Sequence, residues 1–249
     1  MIYITGDTHS DFKRFNTKSF PEQKTLNKTD YIIICGDFGG VWDNSEREHY
    51  WLDWLNAKPF TTLFVSGNHD NFNILSSIPV DIWNGGNVQF IRKSVIHLMR
   101  GQVYTIAGKR FFTMGGASSH DIVDGILEPN TPSFKQMRKQ LDARNALYRI
   151  NHVSWWQEEL PSDEEYDTAI NNLNASGWKV DYIISHCAPT GVANMLGKGI
   201  YKADRLTDFF HEVSKRCEFD YWFFGHYHDN ISLLGKYHLL YEKIEPLRD

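Results

Sequence analysis

Five short apolar runs, rich in β-branched and aromatic residues, each stop at a polar turn: Ile2-Tyr3-Ile4-Thr5, Tyr31-Ile32-Ile33-Ile34, Leu63-Phe64-Val65-Ser66, Tyr182-Ile183-Ile184-Ser185 and Tyr221-Trp222-Phe223-Phe224. Runs without polar alternation predict strands covered on both faces, the environment of a parallel sheet in an α/β fold. The connections carry the helical period instead. Ser45-Glu46-Arg47-Glu48 has capping-box form and leads into Tyr50, Trp51, Trp54 and Leu55; Ser162-Asp163-Glu164-Glu165 opens a helix with Tyr166, Ala169, Ile170 and Leu173 on one face, ended by Gly177. Leu206, Phe209, Phe210 and Val213 mark another helix, while residues 12–29 read as a short helix and surface loop, and Pro189 with Gly191 as an irregular loop. From Val88 to Gly116, β-rich runs with turn signals at Arg100-Gly101 and Ala107-Gly108-Lys109 predict an antiparallel meander that begins a second sheet, and Ile231 to Glu245 alternates like a closing hairpin. Residues 117–150 are the least regular stretch, with Phe134, Met137 and Leu141 on one helical face, and are expected to form a lid. No repeat or low-complexity linker interrupts the chain, so residues 1–249 are expected to be one domain.

Charge narrows the partners. Lys+Arg 26 against Asp+Glu 31 leaves a net charge of -5, so nothing global points to nucleic acid, although a local basic patch is compatible with it. The widely spaced Cys35, Cys187 and Cys217 form neither a disulfide framework nor a zinc knuckle, and a reducing, cytoplasmic setting is expected. No apolar stretch has the length of a membrane span and no leader pattern precedes the first strand, so no membrane partner is expected.

Candidate chemistry lies just past the strands, where ligands gather in open α/β sheets. The runs end in Gly6-Asp7-Thr8-His9, Gly36-Asp37, Gly67-Asn68-His69-Asp70, His186 and Gly225-His226-Tyr227-His228. Each piece alone is a turn signal, but five pieces delivering Asp, Asn and His toward one edge have the composition of a metal site. In this order they resemble the calcineurin-like metallophosphoesterase family, over nearly the whole chain. The resemblance implies an α/β fold of two mixed β-sheets packed as a sandwich flanked by helices, in four layers. It also implies that Asp7, His9, Asp37 and His228 hold one metal ion and Asp37, Asn68, His186 and His226 a second, with Asp37 bridging. Two metals about 3.5–4 Å apart need such a shared anion and can clamp the attacking and leaving oxygens of an in-line displacement. Ligands rich in imidazole favour Mn, Fe, Zn or similar ions over Mg or Ca.

The implied activity is hydrolysis of phosphomonoesters or phosphodiesters by a metal-bridging hydroxide, with His69 as the catalytic histidine assisting the leaving group. Two departures from the family pattern matter. Where the family carries an Asp that orients this histidine, the chain has Phe38-Gly39-Gly40, leaving Asp70 or Asp43 as candidates; where the protein phosphatase branch carries an Arg clamp, it has Val41. A catalytically weak phosphate-binding or scaffold protein is therefore one alternative, and a nuclease with a basic channel another. Six histidines fall outside the motifs, and of these only His120, in Gly-Ala-Ser-Ser-His-Asp, is a candidate substrate contact, together with Arg138.

Overall fold

Strands covered on both faces require helices outside each sheet, and that arrangement organises the chain. The structure is a computed structural model that describes residues 1–247. One mixed sheet contains β1 (Ile2–Thr5), β2 (Tyr31–Ile34), β3 (Thr61–Phe64), β4 (Val80–Trp83), β5 (Gly86–Arg92) and β6 (Val95–Leu98). A second contains β7 (Gln102–Ile106) and β8 (Lys109–Met114); β9 (Ile126–Leu127) and β10 (Arg149–Ile150) form a separate parallel pair. β11 (Tyr182–Ser185), β12 (Tyr221–Phe224), β13 (Ile231–Leu233) and β14 (Tyr237–Leu239) complete the second sheet, and β15 (Glu245–Pro246) returns to the first. The orders are β15-β1-β2-β3-β6-β5-β4 and β13-β14-β12-β11-β8-β7. Parallel centres (β1, β2, β3, β6; β8, β11, β12, β14) are flanked by antiparallel edges.

The two faces of each strand feed different cores, as the period of two demands. Ile33 and Cys35 pack between the sheets with Tyr182, Ile184 and Phe223, whereas Ile32 and Ile34 face outward. Their outer partners are Leu52 and Leu55 of α1 (Glu46–Asn56). α2 (Phe72–Leu75) follows β3, and α3 (Phe134–Ala143) lies between β9 and β10. On the far side Ile183, Trp222 and Phe224 pack against α4 (Asp163–Ala175), α5 (Thr190–Gly197) and α6 (Arg205–Arg216). Helix, sheet, sheet and helix give the four-layer α/β sandwich that the resemblance implies. The full capping box of Ser162 with Glu165 opens α4, and Gly177, at φ 68°, follows its end.

Several local expectations change. The meander is split: β5 and β6 stay in the first sheet, and the Arg100-Gly101 turn carries the chain into the second. Residues 12–29 hold two 3-10 turns, and Phe12 and Phe15 of the first and Phe20 just before the second are buried, so this segment covers the first sheet's outer face and is no surface loop. Thr190 to Gly197 is helical because Val192 and Ala193 bury against the second sheet. The tail forms the β13–β14 hairpin and then crosses to the first sheet as β15. The irregular 117–150 stretch contains a small β9-α3-β10 unit, with Leu141 buried and Met137 exposed. Among the described residues no helix is long and apolar enough to cross a membrane.

Candidate metal centre

β1, β2 and β3 run parallel and side by side, so the loops beyond them open on one edge; β11 and β12 do the same in the other sheet. The two edges meet. Gly225 N–H donates to the His186 carbonyl at 2.9 Å, and the His186 ring meets the Cys35 carbonyl through Nδ1 at 2.8 Å. Space there is tight: a Cβ on Gly225 would collide with Asp7 Oδ1, and one on Gly36, at φ 94°, with the His186 ring. His9, Asp37, His226 and His228 all hold left-handed backbone, at φ 43°, 45°, 70° and 50°. Such conformations cost on the order of 1–3 kcal/mol each and concentrate at functional sites.

Asp7, His9, Asp37 and His228 bring ligand atoms within 4.8 Å of one another. His228 Nε2 lies 3.1 Å from Asp7 Oδ2, and His9 Nε2 lies 3.8 Å from Asp7 Oδ2 and 3.7 Å from Asp37 Oδ2. The other Asp37 oxygen, Oδ1, is 3.3 Å from His186 Nε2, which is 3.1 Å from Asn68 Oδ1; the His186 and His226 rings are 5.0 Å apart. One buried carboxylate therefore sends an oxygen to each of two imidazole groups. His120 joins the second group, its Nε2 at 2.7 Å from His226 Nε2. With Nδ1–H donated to Cys35, His186 Nε2 faces two oxygen acceptors, Asn68 Oδ1 and Asp37 Oδ1, so the three atoms need a shared cation: a proton on Nε2 in the metal-free protein, which a metal ion would replace. A cation satisfies such a cluster, and beside it Asp7, His9, Asp37 and His228 form a second group of potential ligands around the same carboxylate.

The titration of the metal-free protein follows from the same crowding. Burial opposes a charged His186, but Asp37 and Asp7 outweigh it and push it up to about 9. Burial likewise opposes ionised Asp37, and His186, His69 and His9 outweigh it, holding the carboxyl below its ordinary value. Burial, with His186 and His120 nearby, drives His226 well down. His69 is lowered by burial; its backbone N–H donates to Asp37 Oδ1 at 2.8 Å and its ring lies 5.5 Å from that of His9.

Neither candidate for orienting His69 bonds its ring among the described residues. The Asp70 oxygens accept Gly39 N–H and Gly67 N–H at 3.1 and 2.7 Å, tying together the loops beyond β2 and β3, and Asp43 accepts Ser45 N–H at the α1 N-terminus. Position 40 is held by glycine, and a side chain there would have to displace the Phe38 ring, 2.5 Å from an added Cβ. Asp121, paired with Arg149 in the segment after β8, is a carboxylate whose field reaches His69. Arg138 lies on the exposed face of α3, 3.7 Å from Asp142. Ser119 and Glu159 join the centre through Asn68, and no motif marks either.

Beside His120 and His226 opens a cavity of about 690 Å³, walled by Ile122, Val123, Ile200, Tyr201 and Tyr227 among others. The segment after β8 and the α5–α6 connection thus supply facing walls.

Curated relatives include lariat debranching enzymes. That of Drosophila pseudoobscura pseudoobscura is 22% identical over 263 aligned positions, covering 94% of this chain and 43% of the relative. That of Caenorhabditis elegans is 25% identical over 207, covering 77% and 37%, and that of Homo sapiens 22% over 172, covering 61% and 30%. The chain thus spans less than half the length of these relatives. The sequence pattern described as calcineurin-like phosphoesterase matches residues 1–230, from the first strand to just past His228, and on that match the chain belongs to the calcineurin-like phosphoesterase family.

Proposed function

We propose that the protein hydrolyses phosphate esters with two metal ions, one held by Asp7, His9, Asp37 and His228 and the other by Asp37, Asn68, His186 and His226. The observation that carries this reading is the Asp37 carboxylate, 1% exposed, with Oδ2 directed to His9 and Oδ1 to His186. Bound ions of the Mn, Fe or Zn type would supply positive charge for a phosphate and activate the attacking water. The chain's residues do the rest. His69, beside the Asp37 loop, protonates the departing oxygen. The cavity walls, with His120, receive the ester's organic group, and 117–150 acts as a lid over it. Displacement is direct, because burial raises the thiols of Cys35 and Cys187 and, among the described residues, no Ser or Asp of the five strand-end motifs has an activating base.

The reading treats residues 1–249 as one domain, supported by a site assembled from loops between Asp7 and His228, and places it in the cytoplasm, supported by three free buried cysteines. A nuclease is the second reading, favoured by the relatives' name and by the exposed Lys135, Arg138 and Lys139 of α3. Both are tested together by adding Mn, Fe, Zn, Ni or Mg to metal-free protein and assaying monoesters, diesters and branched or linear RNA. Metal-dependent turnover is expected; its absence with every ester and ion would favour a phosphate-binding scaffold.

A further inference from the structure

Asn68 has two nearly isosteric amide atoms, and only Oδ1 can ligate a cation. Its Nδ2 donates to Ser119 Oγ at 3.2 Å. Ser119 has one hydroxyl proton, and Oγ donates it to Glu159 Oε2 at 2.6 Å while the Ser119 N–H donates to Glu159 Oε1 at 2.9 Å. The three residues are buried, at 3%, 7% and 3% exposure for Asn68, Ser119 and Glu159. Burial raises the Glu159 carboxyl, opposed by the two hydrogen bonds from Ser119; in its ionised form it only accepts, so the hydroxyl proton is committed to it and Oγ is left as an acceptor. Asn68 must then turn its NH2 to Ser119 and its Oδ1 to His186 Nε2, 3.1 Å away. The chain of bonds has one direction.

We propose that Glu159 is a positioning residue which, through Ser119, sets the amide orientation of Asn68 and so prepares the second metal position. This rests on the two-metal reading. A carboxylate buried only to fill space would be costly, because a buried charge is destabilising unless its partners satisfy it. Here the partners are the hydroxyl and amide of the residue that holds Asn68, 51 positions from Ser119, which is itself 40 from Glu159. The competing account is a clamp that merely joins the segment after β8 to the 3-10 turn Gln157–Glu159. The two differ in what an amide at position 159 does. Glu159→Gln keeps the shape and still accepts the Ser119 N–H, but its own NH2 can donate to Ser119 Oγ. The hydroxyl proton is then free to point at Asn68, whose amide reverses and presents NH2 to the metal position.

The experiment is calorimetric titration of the metal-free protein with Mn2+, alongside thermal melts without metal. Wild type is expected to bind two ions. Glu159→Gln should bind one at wild-type affinity and the other 10–100-fold more weakly, the usual range for a lost outer partner. Ser119→Ala, which removes the relay without forcing reversal, should fall between and serves if Glu159→Gln fails to fold. Asn68→Asp gives an oxygen on both sides, so it should harm the second site in the wild-type background, where it faces a hydroxyl oxygen whose proton is committed, and restore it in the Glu159→Gln background. Two ions at wild-type affinity in Glu159→Gln, or equal weakening of both sites with a lowered melt, would overturn the proposal. A wild-type protein that takes fewer than two ions would instead remove the two-metal reading itself.

Discussion

Asp37 is the side chain that reaches both proposed metal positions, its oxygens lying 3.7 Å from His9 and 3.3 Å from His186. Replacing it with Asn removes charge from both positions, so Asp37→Asn is expected to lose two ions, and Asp7→Asn mainly the one it shares with His9 and His228. Metal analysis of the purified variants checks this; two ions at wild-type affinity in Asp37→Asn would sink the bridging role. His69 reaches the centre through its backbone N–H to Asp37 and an edge contact of its ring with that of His9, and its ring nitrogens hold none of the proposed metal positions. His69→Ala should therefore keep its metals and lose roughly 10²–10⁴ in turnover of alkyl esters, the range for general acid catalysis. With nitrophenyl esters, whose leaving group needs little protonation, the loss should shrink; equal losses for both would argue against the acid role.

At the scale of elements, the cavity beside the centre lies between the connection after β8 and the one between α5 and α6, with His226 and Tyr227 of the loop after β12 completing its lining. Tyr201 packs its ring 5.3 Å from His120 and 4.7 Å from Tyr227, and Val123 and Ile200 at the rim are each 81% exposed. Apolar walls of this kind favour a ring in the ester's organic group. Tyr201→Ala should raise KM about 3–10-fold for ring-bearing esters, on the order of 0.5–1.5 kcal/mol of aromatic contact, with metal content unchanged. An unchanged ratio of kcat/KM between ring-bearing and small alkyl esters would remove the cavity from specificity. Arg138, paired with Asp142 on exposed α3, offers a different contrast. Its replacement should alter hydrolysis only of substrates long enough to reach that helix, as a nucleic acid is, and leave small esters untouched.

For the molecule as a whole, acid sensitivity should come partly from a histidine far from any motif. His97 stacks on Phe64, its Nδ1 meets Gln89 Oε1 at 2.8 Å, and burial with Arg100 nearby lowers it from 6.5 to about 3. The unfolded chain binds this proton near 6.5, so the group costs nothing above that pH. Between 6.5 and about 3 the unfolded state binds more protons and stability falls, by up to ~1.4 kcal/mol per pH unit. Urea unfolding of wild type and His97→Gln across pH 4 to 8 measures the difference; parallel curves would show that His97 does not titrate as its burial requires.

The strands, and the convergence of Asp7, His9, Asp37 and His228 beyond them, were legible in the chain itself. An apolar run ending in a glycine and a polar side chain states both that the strand is buried on two faces and where it stops, and family order supplied the grouping of Asp7, His9, Asp37, Asn68, His186, His226 and His228. Periodicity reports burial but not partners, so it could not divide the β-rich stretch between two sheets, nor find that Phe12, Phe15 and Phe20 cap the first. His120 stood out by its neighbours in sequence, yet its contact with His226, 106 residues away, exists only because β8, β11 and β12 run parallel side by side and open the loops after them on one edge. Glu159 carried no signal at all. A carboxylate in a surface-like Gln-Glu-Glu turn became a buried acceptor because the packing of two connections removed its water and left Ser119 as the partner in its place.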